Sequence, residues 1–427
     1  MTTLRLRSLT EDEWAGNWSL LGDAFLSDRH TRPADIARRQ ALVEPERFLG
    51  VFDGHRQIGG GGIMTRNMTL PGVGPSPVAA VSFVGVRPDA RGQGALTALM
   101  RAQLTELHDG EREPVAALWA SMAPLYGRFG YGPASRRATA TVTTPAPFVP
   151  SAPEGGEVTW FDADGGFDAD GAAETLRVVH ARVAASRVGW VSRPEPAWRS
   201  RLSDAGHDRH GGTSYRYVVH RPAGGGEPDG YAVIRANEDW RATGPDYRLD
   251  IRELVAATPH AHAGLWRSLL DLDLVGRVRH DNVALDDPLQ LLLLNPRGVL
   301  TEVGDALWVR LVDLDRALLA RRYATPCDVV LGVTDRFCPW NAGRWRLRVH
   351  PDGGAEPGAD CRAEVERTSS PADLECDITD LGAAYLGGAR LTALAAAGRV
   401  RERRPGAVLA VSRAMSGDAE PFCPEIF

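Results

Sequence analysis

The sequence predicts an α/β (α+β) protein of several domains. At 427 residues the chain is long enough for roughly three domains of ordinary size. The order strand, loop, helix first occurs over residues 81–100 and recurs in the middle third, and the last third alternates strand and helix signals. A Pro/Gly-rich stretch over residues 145–157 indicates a linker or crossover between the first two parts. The predicted segments are a first domain over 1–145, a linker over 146–157, a second domain over 158–296 and a third over 297–427.

The first predicted elements have local signals of their own. Thr10 with Glu13 three residues later is typical of a capped helix start. Asp53-Gly54 between two strand-like runs predicts a hairpin. The run Gly59 to Gly62 lies inside a strand pattern with no Lys-Ser/Thr after it, so it indicates a bulge or a close-packing position rather than a phosphate loop. Two apolar strands follow, over 77–86 and 114–121.

The loop between these two strands is the clearest candidate binding site. Gly92 and Gly94 precede a helical run in which Leu96, Leu99 and Leu104 recur three to five residues apart. Amides at a helix start have no intrahelical partner and the helix dipole is positive there, so such a loop can hold a phosphate. The alternatives are a turn that binds nothing and a dinucleotide loop, although the three-glycine spacing of the latter is missing. In the middle third, the corresponding loop over 258–262 has no glycine next to the helix predicted at 263–272, so no coenzyme phosphate is expected there.

Composition excludes several function classes. A net charge of -6 argues against nucleic acid as the main partner. No uncharged run is long enough to cross a bilayer, so we expect a cytoplasmic protein. The sequence contains no lysine, which excludes a Schiff base and a nucleotide P-loop. Five scattered cysteines and the isolated pair His207 and His210 favour neither a disulfide framework nor a metal site.

Four segments together resemble a known family. Arg91-x-x-Gly94-x-Leu96 is close to the pyrophosphate loop of the GNAT acetyltransferase superfamily, apart from Leu96 where a small residue is usual. With S-F-V-G-V, A-A-L-W-A-S and L-Y-G-R-F-G-Y-G-P-A, the chain resembles the Eis-type aminoglycoside N-acetyltransferases. The resemblance implies two tandem GNAT domains, the second degenerate, followed by a sterol-carrier-protein-like domain, in a homohexamer. It also implies acetyl-CoA as co-substrate and transfer of acetyl to a primary amine of an aminoglycoside or a similar polyamine.

The resemblance, combined with the chemistry of the side chains, assigns candidate site residues. Tyr126 is the expected acid, with Tyr131 as its competitor, since a neutral phenol can protonate the departing thiolate. The α-carboxylate of Phe427 is the expected group that orients the amine; the prolines and bulky apolar residues of the tail favour a docked chain end over a loose one. The predicted coenzyme-binding residues are Val84, Gly85, Val86, Gly92, Gln93, Gly94, Ala95, Leu96, Thr97, Ser121 and Met122.

One departure from the family concerns the amine-binding rim. The family has an acidic residue just before the last position, where this chain has Ile426, with Glu425 one step earlier. Asp23, Asp28 and Glu425 could form an acidic mouth for a polycation, or they could be ordinary solvated acids. The alternatives in function are a protein-lysine or small-polyamine acetyltransferase with the same residues, and a non-catalytic protein that binds CoA or lipid.

Overall fold

The computed structural model describes residues 4–27, 32–162, 172–351 and 361–427. The strands are β1 Arg5–Arg7, β2 Phe48–Asp53, β3 Arg56–Leu70, β4 Gly74–Val86, β5 Val115–Trp119, β6 Gly132–Pro133, β7 Arg136–Thr143, β8 Glu157–Asp162, β9 Arg216–Arg221, β10 Gly230–Asn237, β11 Trp240–Arg241, β12 Gly244–Pro245, β13 Tyr247–Ala256, β14 Val275–Val283, β15 Val299–Asp305, β16 Leu307–Leu311, β17 Cys327–Thr334, β18 Gly343–Pro351, β19 Cys361–Arg367, β20 Leu374–Asp377 and β21 Arg401–Glu402. The helices are α1 Trp14–Phe25, α2 Pro33–Gln40, α3 Ala95–Gly110, α4 Ala123–Gly127, α5 Ala172–Ala184, α6 Glu195–Arg201, α7 Pro259–Leu270, α8 Leu289–Leu292, α9 Leu314–Leu319, α10 Ile378–Ala384, α11 Leu391–Ala396 and α12 Ala407–Ala414.

Packing divides the chain into two compact units. Unit 1 contains Met1–Ser135, Val188–Ser200 and Ala306–Phe427, and unit 2 contains Arg136–Arg187 and Arg201–Asp305. The two units are defined by packing contacts, whereas the predicted domain boundaries come from the sequence. The boundaries at residues 145, 157 and 296 therefore stay a prediction.

Unit 1 contains a seven-stranded sheet in the order β1-β2-β3-β4-β5-β16-β6. β4 and β5 are parallel, whereas the other neighbouring strands are antiparallel. Leu99 and Leu104 of α3 are buried in one cluster with strand residues, and Trp14 and Trp18 of α1 are buried in a second cluster with Phe48. The amphipathic spacing of both helices therefore fixes them to this sheet.

The local predictions for this sheet are confirmed. The Thr10 amide donates to the Glu13 carboxylate at 2.9 Å, which closes the capping box before α1. Gly54, with φ of 59°, turns the hairpin between β2 and β3. A Cβ atom on Gly61 would lie 2.9 Å from Cγ2 of Val84 and 3.0 Å from Cδ2 of Leu99, so this glycine run is a close-packing position.

The last part of unit 1 forms a five-stranded sheet in the order β19-β18-β17-β20-β21. Its buried side chains, among them Leu331, Leu347 and Leu374, share one core cluster with Leu307 and Val309 of β16. β16 is the strand of the first sheet that comes last in the chain. Its Leu307 and Val309 side chains therefore belong to the core of the five-stranded sheet. In the described ranges, no helix has the length and apolar character needed to cross a membrane.

Unit 2 contains a second seven-stranded sheet, in the order β15-β7-β14-β13-β10-β9-β8, with β13 and β14 parallel. Helix α7 connects these two strands and buries Leu265, Trp266 and Leu269 in the core. The loop predicted over 258–262 is wrong, because Thr258 is the N-cap residue and α7 begins at Pro259. Threonine at the cap and proline in the first turn are favoured helix starts, and this explains the earlier boundary.

Candidate active site

The candidate site begins where β4 and β5 separate. The two strands pair only through Ala79 with Ala116 and Ala80 with Ala117, within the described ladder, although both continue further. On the other side of β4, Ser82 faces Gly62 and Gly85 faces Gly60, so two residues of β4 oppose Gly61 alone. This is a β-bulge, a feature that re-aims a strand and often lies next to active sites.

The bulge carries an unusual backbone conformation. Phe83 has φ of 54°, a conformation that is uncommon for a bulky residue and needs support from its surroundings. That support is aromatic: the Phe83 ring meets Trp18 edge-on, with 5.2 Å between centroids. After Val84, residues Gly85 and Val86 pair with β3 along one edge of the strand, and the other edge has no register partner in β5. The predicted amides therefore lie at an opening in the sheet.

The glycine loop forms the start of α3. Gly92 and Gly94 have φ of 80° and 86°, and a Cβ atom on either would meet nothing within 4 Å. The first intrahelical bond joins the Ala98 amide to the Gly94 carbonyl at 2.9 Å. Helix geometry leaves the amides of Ala95, Leu96 and Thr97 without an intrahelical acceptor. Gln93 and Thr97 are exposed, as are both glycines. Open space, uncommitted amides and the positive helix end together fit a bound phosphate.

Tyr126 lies beyond the end of β5. It is carried on the short helix α4, is only 6% exposed, and forms a side-chain hydrogen bond with Ser121. Burial raises the pKa of Tyr126 to about 12, while the Ser121 hydrogen bond lowers it. The phenol therefore stays protonated at ordinary pH. Ser121 is exposed, and so is Met122 at 59%, so both can contact a molecule in the gap.

Tyr131 has a different environment. Its ring packs edge-to-face on Tyr126, with 6.0 Å between centroids, and its hydroxyl is buried with no hydrogen-bond partner in the described structure. Burial raises the pKa of the Tyr131 phenol, and the nearby guanidinium of Arg310 lowers it. The exposed serine beside Tyr126 gives that phenol a route to the gap that Tyr131 lacks.

The chain end docks beside the same strand. The Phe422 amide donates to the Val188 carbonyl at 2.8 Å, and the buried Cys423 side chain lies beside Trp119, the last residue of β5, in the same core cluster. Phe427 packs, half-buried, on the core cluster that Trp119 also touches. The predicted docked tail is confirmed, and the role of its carboxylate stays a prediction.

The tail and Tyr126 are both connected to the last residues of β5. Phe427 is four residues after Cys423. Four residues of chain span at most about 14 Å, so Phe427 lies within that distance of Cys423. Ser121, the partner of Tyr126, is two residues from Trp119. The tail and the phenol thus converge on the end of one strand.

Glu425 does not face the gap as a free acid. Its carboxylate accepts a hydrogen bond of 2.6 Å from Nε of Arg193, and the two side chains are 9% and 0% exposed. Asp23 is half-buried on α1, and Asp28 lies outside the described residues. The idea of an acidic mouth that includes Glu425 is therefore wrong, because an arginine already neutralises this carboxylate.

The second sheet has a different helix start. The Thr258 hydroxyl accepts from the Ala261 amide at 3.1 Å and donates to the Asp229 carboxylate at 2.6 Å. A buried carboxylate and a capping hydroxyl thus occupy the place where a phosphate would bind. Within the described ranges there is no group of three or more histidine, cysteine or acidic side chains that could hold a metal ion. None of the five cysteines forms a disulfide.

Comparison with known proteins assigns the family. Residues 5–134 match an acetyltransferase (GNAT) domain model, residues 189–311 match a second one, and residues 314–424 match a sterol carrier protein domain model. An uncharacterized N-acetyltransferase of Streptomyces avermitilis is 38% identical over 100% of both chains. N-acetyltransferase Eis of Mycobacterium tuberculosis is 32% identical over 94% of each chain.

The chain belongs to the Eis-type family of GNAT N-acetyltransferases. The crystal structure of Eis1 from Mycobacterium abscessus covers 100% of both chains with a TM-score of 0.82 and 32% identity. The predicted fold class is confirmed: two GNAT domains precede a sterol-carrier-protein domain. As an Eis-type chain, the protein is an acetyltransferase.

Sequence reasoning missed two parts of this site. It did not single out Trp119 or Arg193, the residues that hold the tail. A tryptophan at a strand end carries no special signal, and Arg193 is 232 residues from its partner Glu425. The sequence signal was the pair of prolines and the bulky apolar residues of the tail, which predicted docking without naming a partner.

Proposed function

We propose that this chain transfers acetyl from acetyl-CoA directly to a primary amine of an aminoglycoside or a similar polyamine. In this proposal the amides of Gly92 to Thr97 bind the pyrophosphate, and backbone amides of Val84 to Val86 polarise the thioester carbonyl. Donors aimed at a developing oxyanion contribute about 3 to 4 kcal/mol each to catalysis. Ser121 and Met122 line the pantetheine arm from the opposite strand.

The reaction uses two groups of the chain, the Tyr126 hydroxyl and the terminal carboxylate of Phe427. The amine nitrogen attacks the carbonyl carbon, the C–S bond breaks, and the Tyr126 hydroxyl gives its proton to the departing sulfur. The amine attacks in its neutral form, and the Phe427 carboxylate orients it and stabilises the ammonium formed on attack. Water then removes one proton from this ammonium to leave the amide, and Tyr126 regains its proton from solvent. A carboxylate with an ordinary pKa near 3.5 is too weak a base to deprotonate an ammonium by itself, so its contribution is electrostatic.

One observation carries this proposal above the others: the docking of the tail on Trp119, at the end of the strand that leads to Ser121 and Tyr126. A protein that only binds CoA or lipid has no need of a tail packed at the end of this strand. A protein-lysine acetyltransferase would use the same residues and remains the second candidate within enzymes. The hexamer and the cytoplasmic location stay predictions.

The test follows free thiol while the purified protein is incubated with acetyl-CoA and a panel of amines. We expect turnover with aminoglycosides and polyamines, and little with a lysine peptide. Two glycines added after Phe427 displace the carboxylate by two residues, so kcat should fall about 100-fold while the affinity for acetyl-CoA is kept. Full activity of the extended chain would remove the carboxylate from the mechanism, and no turnover with any amine would reject the activity itself.

A further inference from the structure

The ion pair between Arg193 and Glu425 is more deeply buried than a docked tail requires. Nε of Arg193 lies 2.6 Å from Oε2 of Glu425, and the guanidinium also packs over the Trp198 ring at 4.4 Å from its centroid. Burying two charges costs desolvation energy that their attraction does not reliably recover. Apolar contacts would hold the tail equally well if only stability mattered. The ion pair therefore indicates that the tail must lie in one fixed position.

Arg193 is itself fixed to the sheet that bears the site. It lies in a segment that we call the strap, residues 188–200. The strap runs along the end of β3, where the Thr69 amide donates to the Trp190 carbonyl at 2.9 Å and the Ser192 amide donates to the Asn67 carbonyl at 2.7 Å. β3 is hydrogen-bonded to β4, which carries the bulge. The position of Arg193 is therefore set by the active-site sheet.

A second arginine lies near the same carboxylate. Arg66 is in β3 and is only 8% exposed. Burial lowers the pKa of Arg66, and attraction to Glu425 offsets part of this effect. Glu425 thus interacts with two guanidinium groups that both belong to the sheet or its strap.

The backbone of Glu425 is restrained as well as its side chain. The Cys423 thiol donates to the Glu425 carbonyl oxygen at 3.2 Å, and Pro424 between them restricts the chain. Only Ile426, which is 49% exposed, separates Glu425 from the terminal residue. Two residues span at most about 7 Å, so the position of Glu425 decides where the terminal carboxylate can lie.

We propose that the Arg193–Glu425 pair is a positioning device that places the Phe427 carboxylate at the acceptor amine. This inference rests on the proposed function, and it assigns Glu425 a role that differs from binding the polyamine. Glu425 is a positioning residue that acts through Phe427, and it does not touch the substrate.

The test is a double-variant cycle on the full chain. Glu425→Gln keeps the shape of the side chain and removes its charge, so kcat should fall about 10- to 100-fold, since small displacements of a catalytic group have effects of this size. KM for the amine and KM for acetyl-CoA should stay the same. In the chain extended by two glycines, where the carboxylate is already displaced, Glu425→Gln should have little further effect on kcat.

A matched control and a second readout separate positioning from folding. Asp328→Asn breaks the exposed ion pair with Arg346 in the C-terminal sheet, and it should leave kcat unchanged. Carboxypeptidase should release the terminal residues faster from Glu425→Gln than from the wild type, with CoA binding retained in both. If Glu425→Gln does not fold, Arg193→Lys keeps the charge without the same donor geometry and enters the same cycle.

The outcomes are distinct. A higher KM for the amine with kcat unchanged would mean that Glu425 binds substrate, and a full additional loss in the extended chain would mean that it does not act through Phe427. Either result overturns the positioning role. A wild-type protein that acetylates no amine would instead reject the proposed function.

Discussion

At the residue scale, the site separates two identical side chains by what their hydroxyl groups contact. Tyr126 and Tyr131 pack against each other, yet only Tyr126 has an exposed hydrogen-bond partner, Ser121. A proton donor must reach the reacting atom and regain its proton afterwards. The serine provides a connection to solvent, so the geometry favours Tyr126 as the acid.

Replacement of Tyr126 by phenylalanine removes the proposed proton donor and keeps the ring. Because general acid catalysis is typically a factor of 10² to 10⁴, we expect kcat to fall about 100-fold with KM for acetyl-CoA unchanged. Steady-state kinetics with a saturating amine measure this. Tyr131→Phe is the matched control: its hydroxyl has no partner in the described structure, so kcat and thermal stability should stay near wild type. Equal losses in the two variants would contradict the assignment.

The same phenol predicts a pH profile. Burial raises the pKa of Tyr126 to about 12, so the donor form is present throughout the usual assay range. The profile of kcat should therefore rise with pH as the amine loses its proton and then stay level to at least pH 10, the ordinary pKa of a phenol. A fall in kcat below that pH, absent in Tyr126→Phe, would show that the phenol ionises earlier than its burial predicts.

The local sequence was enough to predict Tyr126 as a site residue, but it was not enough to predict that Arg193 pairs with Glu425. Tyr126 lies in a short motif after an apolar strand, and each part of that pattern is contained within ten residues. Arg193 and Glu425 are ordinary residue types far apart in the chain, and only the folded sheet brings them to 2.6 Å. Glu425 is therefore a buried carboxylate paired with an arginine, and not the surface acid that its sequence position suggests.

At the scale of elements, the site depends on two irregularities: the bulge in β4 and the glycine start of α3. The sequence predicted the glycine start of α3, and it predicted a bulge or a close-packing position at Gly59 to Gly62 of β3, the strand that faces the bulge. Glycine weakens a strand or a helix start unless the backbone must bend there or pass close to another group. The sequence did not predict β7, whose buried positions are alanine and valine between threonines, a weak apolar alternation. The predicted helix start at residue 263 is four residues later than the start of α7 at Pro259, because a threonine and a proline before an apolar run are also typical of a loop.

Gly94→Ala tests the glycine start of α3. Gly94 is the N-cap residue with φ of 86°, where an L side chain costs roughly 1 to 2 kcal/mol. The added Cβ would also crowd a phosphate bound at the amides. We expect KM for acetyl-CoA to rise about 10-fold, with kcat at saturation largely kept. Calorimetric titration with CoA should show the same loss of affinity.

Gly406→Ala is the matched control for this change. Gly406 is the N-cap residue of α12, also with φ of 86° and with nothing within 4 Å of an added Cβ. Its strain equals that of Gly94, but it lies outside the candidate site. Gly406→Ala should lower the thermal midpoint by a similar amount and leave the KM for acetyl-CoA unchanged. Comparable effects of both variants on this KM would mean that strain, and not phosphate contact, explains the Gly94 result.

At the scale of the whole molecule, one chain contains the GNAT pattern twice with different helix starts. In the first copy, open amides follow two glycines with positive φ. In the second, Thr258 and Asp229 satisfy the start of α7 with a hydroxyl and a carboxylate. A buried carboxylate repels phosphate, so we expect the second copy to contribute its sheet and core and not a coenzyme site.

This difference predicts the coenzyme stoichiometry. Titration of the protein with CoA, followed by calorimetry, should give one bound coenzyme per chain, because only the first copy has amides free to hold the pyrophosphate. Thr258→Val removes the cap and should destabilise the protein by about 1 kcal/mol with no change in the binding heat. Gly94→Ala should weaken the whole of the observed binding. Two coenzymes per chain, or a binding phase that survives Gly94→Ala and disappears in Thr258→Val, would show that the second copy also holds the coenzyme.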